Sequence, residues 1–128
     1  MPRLVFDTRF FLEHFFSGDE HVRQAAKEFV STTKERHVSV VTLHELYFIL
    51  LTMQGRDVAA LRTQSVQDTF DVVAVNSQIA IGAAELRNKY HIPMGDSLIA
   101  ATCGEIGAGC VTDDPHFTKI KEIKSRWI

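Results

Sequence analysis

Leu4-Val5-Phe6-Asp7-Thr8 is a short apolar run that ends abruptly in a carboxylate. A run of this kind suits a strand buried on both faces of a parallel sheet, although periodicity alone does not separate it from a buried helix segment. Read as a strand, it leaves Asp7 at its carboxyl end. Open α/β sheets bind their ligands there, because the strand-to-helix loops leave a crevice and helix N-termini point into it. The fold and the function both turn on whether other acids gather around Asp7.

Outward from this stretch, helical and strand patterns alternate. Phe10-Phe11-Leu12 with Phe15-Phe16 reads as a short helix, ended by Ser17-Gly18-Asp19. These aromatics are core residues first and a dimer or partner surface second. Val22, Ala25, Ala26, Phe29, Val30 and Thr33 recur at helical spacing from about Asp19 to Glu35. His37 to Val41 is β-branched and short, hence a second strand. Thr42-Leu43-His44-Glu45 then opens a helix to about Met53, so apolar that burial on more than one side is expected. A further amphipathic helix carries Val58, Leu61, Ser65, Val66 and Phe70 before a strand at Asp71–Val75. Asn76 caps the next helix, with Ile79, Ala80, Ala83, Ala84 and Leu86 inward. Asp96 starts a helix to Ile106, Cys110-Val111-Thr112 is a strand, and Pro115 suits the first position of another helical turn. The tail from Ile120 is a candidate edge strand. Strands separated by helices imply an α/β fold with a mainly parallel sheet covered on both faces.

The chain has 128 residues, of which 45% are apolar and 23% charged, a globular composition long enough for one domain, 1–128, with a real core. A formal net charge of -2 offers no broad electrostatic attraction for nucleic acid, unless bound cations recruit the phosphates. Cys103 and Cys110 lack metal-type spacing and read as small core residues. Charges at Arg3, Asp7, Arg9 and Glu13 interrupt the N-terminal apolar residues, so neither a signal peptide nor a membrane span is expected and the compartment reads as cytoplasmic.

Asp7, Glu45, Asp96 and the pair Asp113-Asp114 all follow a strand or open a helix. Each has a capping explanation: Thr42-x-x-Glu45 is a capping-box pattern, Asp114 precedes Pro115, and Asp96 can satisfy N–H groups at its own helix start. Together they mean something else. In a parallel sheet three of these acids project from one edge and Asp96 can join them from the loop before its helix, where they repel one another unless a cation binds. All-oxygen ligation favours Mg2+ or Mn2+ over zinc. One or two such ions, about 3.5–4 Å apart when paired, carry out phosphodiester hydrolysis.

The order and content of these motifs resemble the PIN-domain ribonucleases. The resemblance rests on Val5-Phe6-Asp7-Thr8, Glu45 after the second strand, Met94-Gly95-Asp96-Ser97-Leu98-Ile99-Ala100-Ala101 and Val111-Thr112-Asp113-Asp114-Pro115-His116-Phe117. The likeness is particularly to VapC-like toxins. It implies a three-layer α/β/α sandwich and Mg2+- or Mn2+-dependent endoribonuclease activity. The implied metal and catalytic residues are Asp7, Glu45, Asp96 and Asp114, with Thr8, Thr112 and Asp113 accessory. Arg9 stands where many relatives have Asn or Ser; it is a candidate contact to substrate phosphate or an ordinary ion pair. The resemblance also implies a homodimer and a small antitoxin partner. None of His14, His21, His37, His44, His91 and His116 fits a ligand pattern, and all six read as structural or surface residues. Two rivals remain: a phospho-signalling receiver-like domain, disfavoured by the missing second acid after the first strand, and a catalytically silent module whose acids only cap helices.

Overall fold

The computed structural model describes residues 2–128, and its centre is the opening stretch. Strand β1 (Arg3–Phe6) lies in the middle of a five-stranded sheet of order β3-β2-β1-β4-β5. The others are β2 (Glu35–Ser39), β3 (Asp71–Val73), β4 (Gly109–Val111) and β5 (Ser125–Arg126), and every pairing is parallel. The chain moves outward from β1 through β2 to β3, then returns to the other side of β1 for β4 and β5. The strand order therefore reverses at β1, and a crevice opens beyond the carboxyl ends of β1 and β4. The backbone N–H of Asp7 donates to Val111 O at 3.3 Å, closing the base of that crevice.

Alternation along β1 assigns the two faces. Leu4 and Phe6 join a cluster with Phe10, Phe11, Phe15, Ala26, Val30, Val38, Leu46, Val66 and Phe70, while Val5 joins Ile99, Ala100, Cys103, Cys110, Phe117 and Ile120. Helices cover both faces, giving the expected three layers. α1 (Thr8–Phe10) runs directly into a π-helical turn (Phe11–Phe15), and α2 (Glu20–Thr32) follows. α3 (Val40–Gln54) and α4 (Arg56–Thr69) form a pair joined at Gly55, whose φ of 87° suits a residue without a side chain. α5 (Ser77–Tyr90) and α6 (Met94–Ile106) form a second pair, and α7 (Pro115–Thr118) is a single turn.

Several details differ from the sequence pattern. Ala25, Ala80 and Ala84 are exposed, and Leu61 points outward while Ala59, Thr63 and Val66 form the buried stripe of α4. Helix α3 is not buried all round: Phe48, Leu51 and Met53 are exposed at 64%, 43% and 73%. It also starts earlier than Thr42. Ser39 still pairs with Val73 in the sheet, and its hydroxyl then accepts from Val41 N at 3.1 Å as the cap. Thr42 is consequently inside the helix and no capping box forms. The last strand of the pattern, at Ser125–Arg126, does pair with β4. Among the described residues, no helix is long and apolar enough to cross a membrane.

Candidate active site

Four elements deliver the acids to the crevice. Asp7 terminates β1 and caps α1, its Oδ1 accepting from Phe10 N at 3.2 Å. Asp114 follows β4 and caps α7, accepting from His116 N at 2.9 Å, while its own N–H donates to the Thr112 hydroxyl at 3.0 Å. Asp114 is a cap, as the sequence allowed, and Asp7 is one that the sequence pattern did not show. Glu45 is not a cap: with Ser39 capping α3, the Glu45 carboxylate is left to accept from the Thr8 hydroxyl at 2.5 Å. Asp96 lies in the first turn of α6, whose cap position is Pro93, and its Oδ2 meets His116 Nδ1 at 2.8 Å.

The structure brings all four acids to one cavity of about 470 Å³, lined also by Thr8, Arg9, His44, Phe48, Ile49 and Ile99. Gly95 makes part of this packing possible. A Cβ there would sit 3.0 Å from Glu45 Oε2 and 3.8 Å from a Val41 methyl, so a side chain would press on the carboxylate. The glycine of the Met94-Gly95-Asp96 motif is thus a clearance for the acid facing it.

The electrostatics of the group are those of crowded, partly dehydrated anions. Asp7 is only 3% exposed. Burial pushes its carboxyl up to about 6, helped by the charge of Asp114 and opposed by bonds from Thr112 and the Phe10 amide and by the Arg9 charge. Asp96 is also raised, chiefly by burial and further by the charges of Asp114 and Glu45, against the hydrogen bond from His116. These carboxylates therefore feel one another. Among the described residues that line the cavity, the one guanidinium is Arg9, and it is engaged elsewhere. Arg9 Nε lies 2.6 Å from Asp113 Oδ1, and Arg9 also pairs with Glu13 at 3.2 Å. Asp113 is exposed, does not line the cavity, and is held below the usual carboxylate range by Arg9. Asp113 and Arg9 form a rim contact across the crevice, whereas Asp114 points in.

Four carboxylates line the cavity, and of them Asp96 and Asp114, with His116, offer ligand atoms within 4.8 Å of one another. A hard divalent cation there would offset the burial, and the mutual repulsion added to it, that raise Asp7 and Asp96. One participant escaped the sequence reading. His116, assigned there to a structural or surface role, has its Nδ1 2.8 Å from Asp96 and 3.3 Å from Asp114. The signal lay in Asp114-Pro115-His116: once Asp114 caps a helix with proline at its first position, the residue at the second position is held next to the same carboxylate.

The PIN-domain family model matches residues 4–123, nearly the whole chain. The chain belongs to the PIN-domain family. This is a nuclease family whose enzymes need a divalent metal, and the acidic cluster for one is present. The fold is similar to that of a DNA-bound VapBC from Salmonella typhimurium, with a TM-score of 0.81 at 20% identity over 99% of this chain and 98% of that one. It is similar to VapBC2 from Rickettsia felis bound to a promoter DNA fragment, with a TM-score of 0.80 at 14% identity over 98% of each chain. The Mycobacterium tuberculosis toxin VapC20, which cleaves the sarcin–ricin loop, gives 0.74 at 18% identity over 94% of this chain and 98% of that one. At these identities the likeness is one of fold. No curated protein sequence matches the chain. The receiver-like alternative falls away, since the observed strand order differs from the 2-1-3-4-5 order of that fold and the family is PIN.

Proposed function

We propose that this PIN domain, acting as one unit over residues 1–128, is a metal-dependent endoribonuclease and the toxin of a toxin–antitoxin pair. The observation that carries the reading is the gathering of Asp7, Glu45, Asp96 and Asp114 around one cavity whose single guanidinium is already paired. Those four carboxylates would hold Mg2+ or Mn2+, which would supply polarisation of the scissile phosphate and a lowered pKa for an attacking water.

The remaining residues hold the acids in place. Thr8 fixes the Glu45 carboxylate by its hydroxyl, and Thr112 supports both Asp7 and the Asp114 amide. Asp113 keeps Arg9 beside the cavity, from where the guanidinium can reach a substrate phosphate. The negative protein attracts RNA through its cation, which reconciles a net charge of -2 with a polyanionic substrate.

The partner reading rests on the neighbours and on α3. VapBC assemblies and a toxin–antitoxin complex from Klebsiella pneumoniae share the fold. Phe48 forms part of the cavity wall yet is 64% exposed, and Leu51, one turn further along the same helix, extends that apolar strip. We assign this strip to protein contacts, in a homodimer and with a small antitoxin that closes the cavity, in a cytoplasmic setting.

Purified protein should cleave single-stranded or structured RNA in Mn2+ or Mg2+, stop on chelation, and lose cleavage as Asp96→Asn. Absence of cleavage in either metal, or an Asp96→Asn protein as active as wild type, would leave the silent-module reading in its place.

A further inference from the structure

His116 stands apart from the four acids because it brings nitrogen to an otherwise all-oxygen site. Its backbone is fixed first: Asp114 caps α7 by accepting from His116 N at 2.9 Å, with Pro115 between them. The ring then turns toward Asp96 and Asp114. Nδ1 lies 2.8 Å from Asp96 Oδ2 and 3.3 Å from Asp114 Oδ1, and the ligand atoms offered by the three residues all lie within 4.8 Å of one another.

Those separations have a geometric meaning. Six ligands at about 2.1 Å from an ion stand about 3 Å apart when adjacent and about 4.2 Å when opposite. The Nδ1 distances to Asp96 and Asp114 bracket the adjacent value, as expected for three donors on one coordination polyhedron. An imidazole nitrogen that faces two carboxylates at these separations can offer its lone pair to a cation that all three donors share.

Resting on the nuclease reading above, we propose that His116 is itself a metal ligand, adding one imidazole nitrogen beside Asp96 and Asp114 to the carboxylates of the site, so that this chain favours Mn2+ over Mg2+. Nitrogen donors raise affinity along the first-row transition series, which begins at Mn2+, whereas Mg2+ prefers oxygen ligands and retained water. Carboxylate-only ligation gives no such preference from the protein donors.

Pulsed EPR on the Mn2+-loaded protein reads this without reference to turnover. Wild type should show the electron-spin-echo modulation of a directly bound 14N nucleus, converted to the 15N pattern when the protein is labelled with 15N-histidine. His116→Gln should lose that coupling, bind Mn2+ roughly 10-fold or more weakly, and change less in its affinity for Mg2+. Bound Mn2+ with no nitrogen coupling in wild type, or coupling that persists in His116→Gln, overturns the assignment while leaving the metal-dependent nuclease intact. Failure of wild type to bind Mn2+ at all overturns both. Because His44 also lines the cavity, coupling that survives in His44→Gln assigns the nitrogen to His116 even where His116→Gln does not fold, and coupling lost in His44→Gln overturns the assignment.

Discussion

Phe6 and Asp7 are consecutive, and both are buried, yet they belong to regions with opposite energetics. Phe6 is inaccessible and packs at ring-centroid distances of 4.8, 5.8 and 5.1 Å from Phe10, Phe29 and Phe70. Burying such a ring stabilises the fold by roughly 1.5–3 kcal/mol, and tilted or edge-on ring pairs add about 0.5–1.5 kcal/mol each. Asp7, one residue on, is destabilised by the same burial and by the anion at Asp114. The aromatic cluster makes β1 rigid enough to hold its terminal carboxylate where that carboxylate alone would not go. Stability resides below the sheet edge and chemistry above it.

That division can be broken from either side. Phe10→Ala should cost roughly 3–5 kcal/mol in denaturant unfolding, the usual range for emptying an aromatic core position. Asp7→Asn should do the reverse. It should abolish cleavage, by at least about 100-fold given that even groups behind a metal ligand are worth 10–100-fold, while stabilising metal-free protein at pH 7 by roughly 1–3 kcal/mol. The sign follows from linkage. The folded Asp7 carboxyl keeps its proton to about pH 6, above the ordinary 3.8, so the folded state binds more protons in that interval. Stability contributed by the protonated form is present below about pH 4 and is lost as pH rises through 6. The stability gap between Asp7→Asn and wild type should therefore open across that window, and a constant gap from pH 4 to 7 would contradict the account.

Smaller changes sharpen the same contrast. Gly95→Ala brings a methyl against Glu45 and should lower cleavage about 10-fold, since sub-ångström misplacement of catalytic groups is costly. Its stability should stay level or rise slightly, because alanine is the better helix former by about 1 kcal/mol. Equal losses of activity and stability would mean that the glycine serves packing alone. Asp113→Ala should have the least effect, under about 1 kcal/mol in thermal unfolding, because its pair with Arg9 is exposed.

The sequence made some of this legible. The apolar run ending in Asp7, the acids of the later motifs and the alternation of helices with strands depend on local pattern, and the family and layered fold follow from them. Other features depend on where the chain meets itself. The start of α3 is decided by Ser39 remaining paired with Val73, and that shift converts Glu45 from a candidate cap into a carboxylate held by Thr8, 37 residues away in sequence. Ala25, Leu61, Ala80 and Ala84 fit an apolar period but fall just outside the contact stripe, because small or edge residues satisfy a pattern without being needed by a neighbour. His116 was hidden for a similar reason: its partner Asp96 is 20 residues away, and no ligand spacing in the chain announces the pair.

The most direct measurement is the anomalous difference density of a crystal soaked in Mn2+. The account predicts a peak inside the cavity, bounded by Asp7, Glu45, Asp96 and Asp114, and its loss in Asp96→Asn. A soaked crystal with an open cavity and no Mn2+ among those four carboxylates would contradict it.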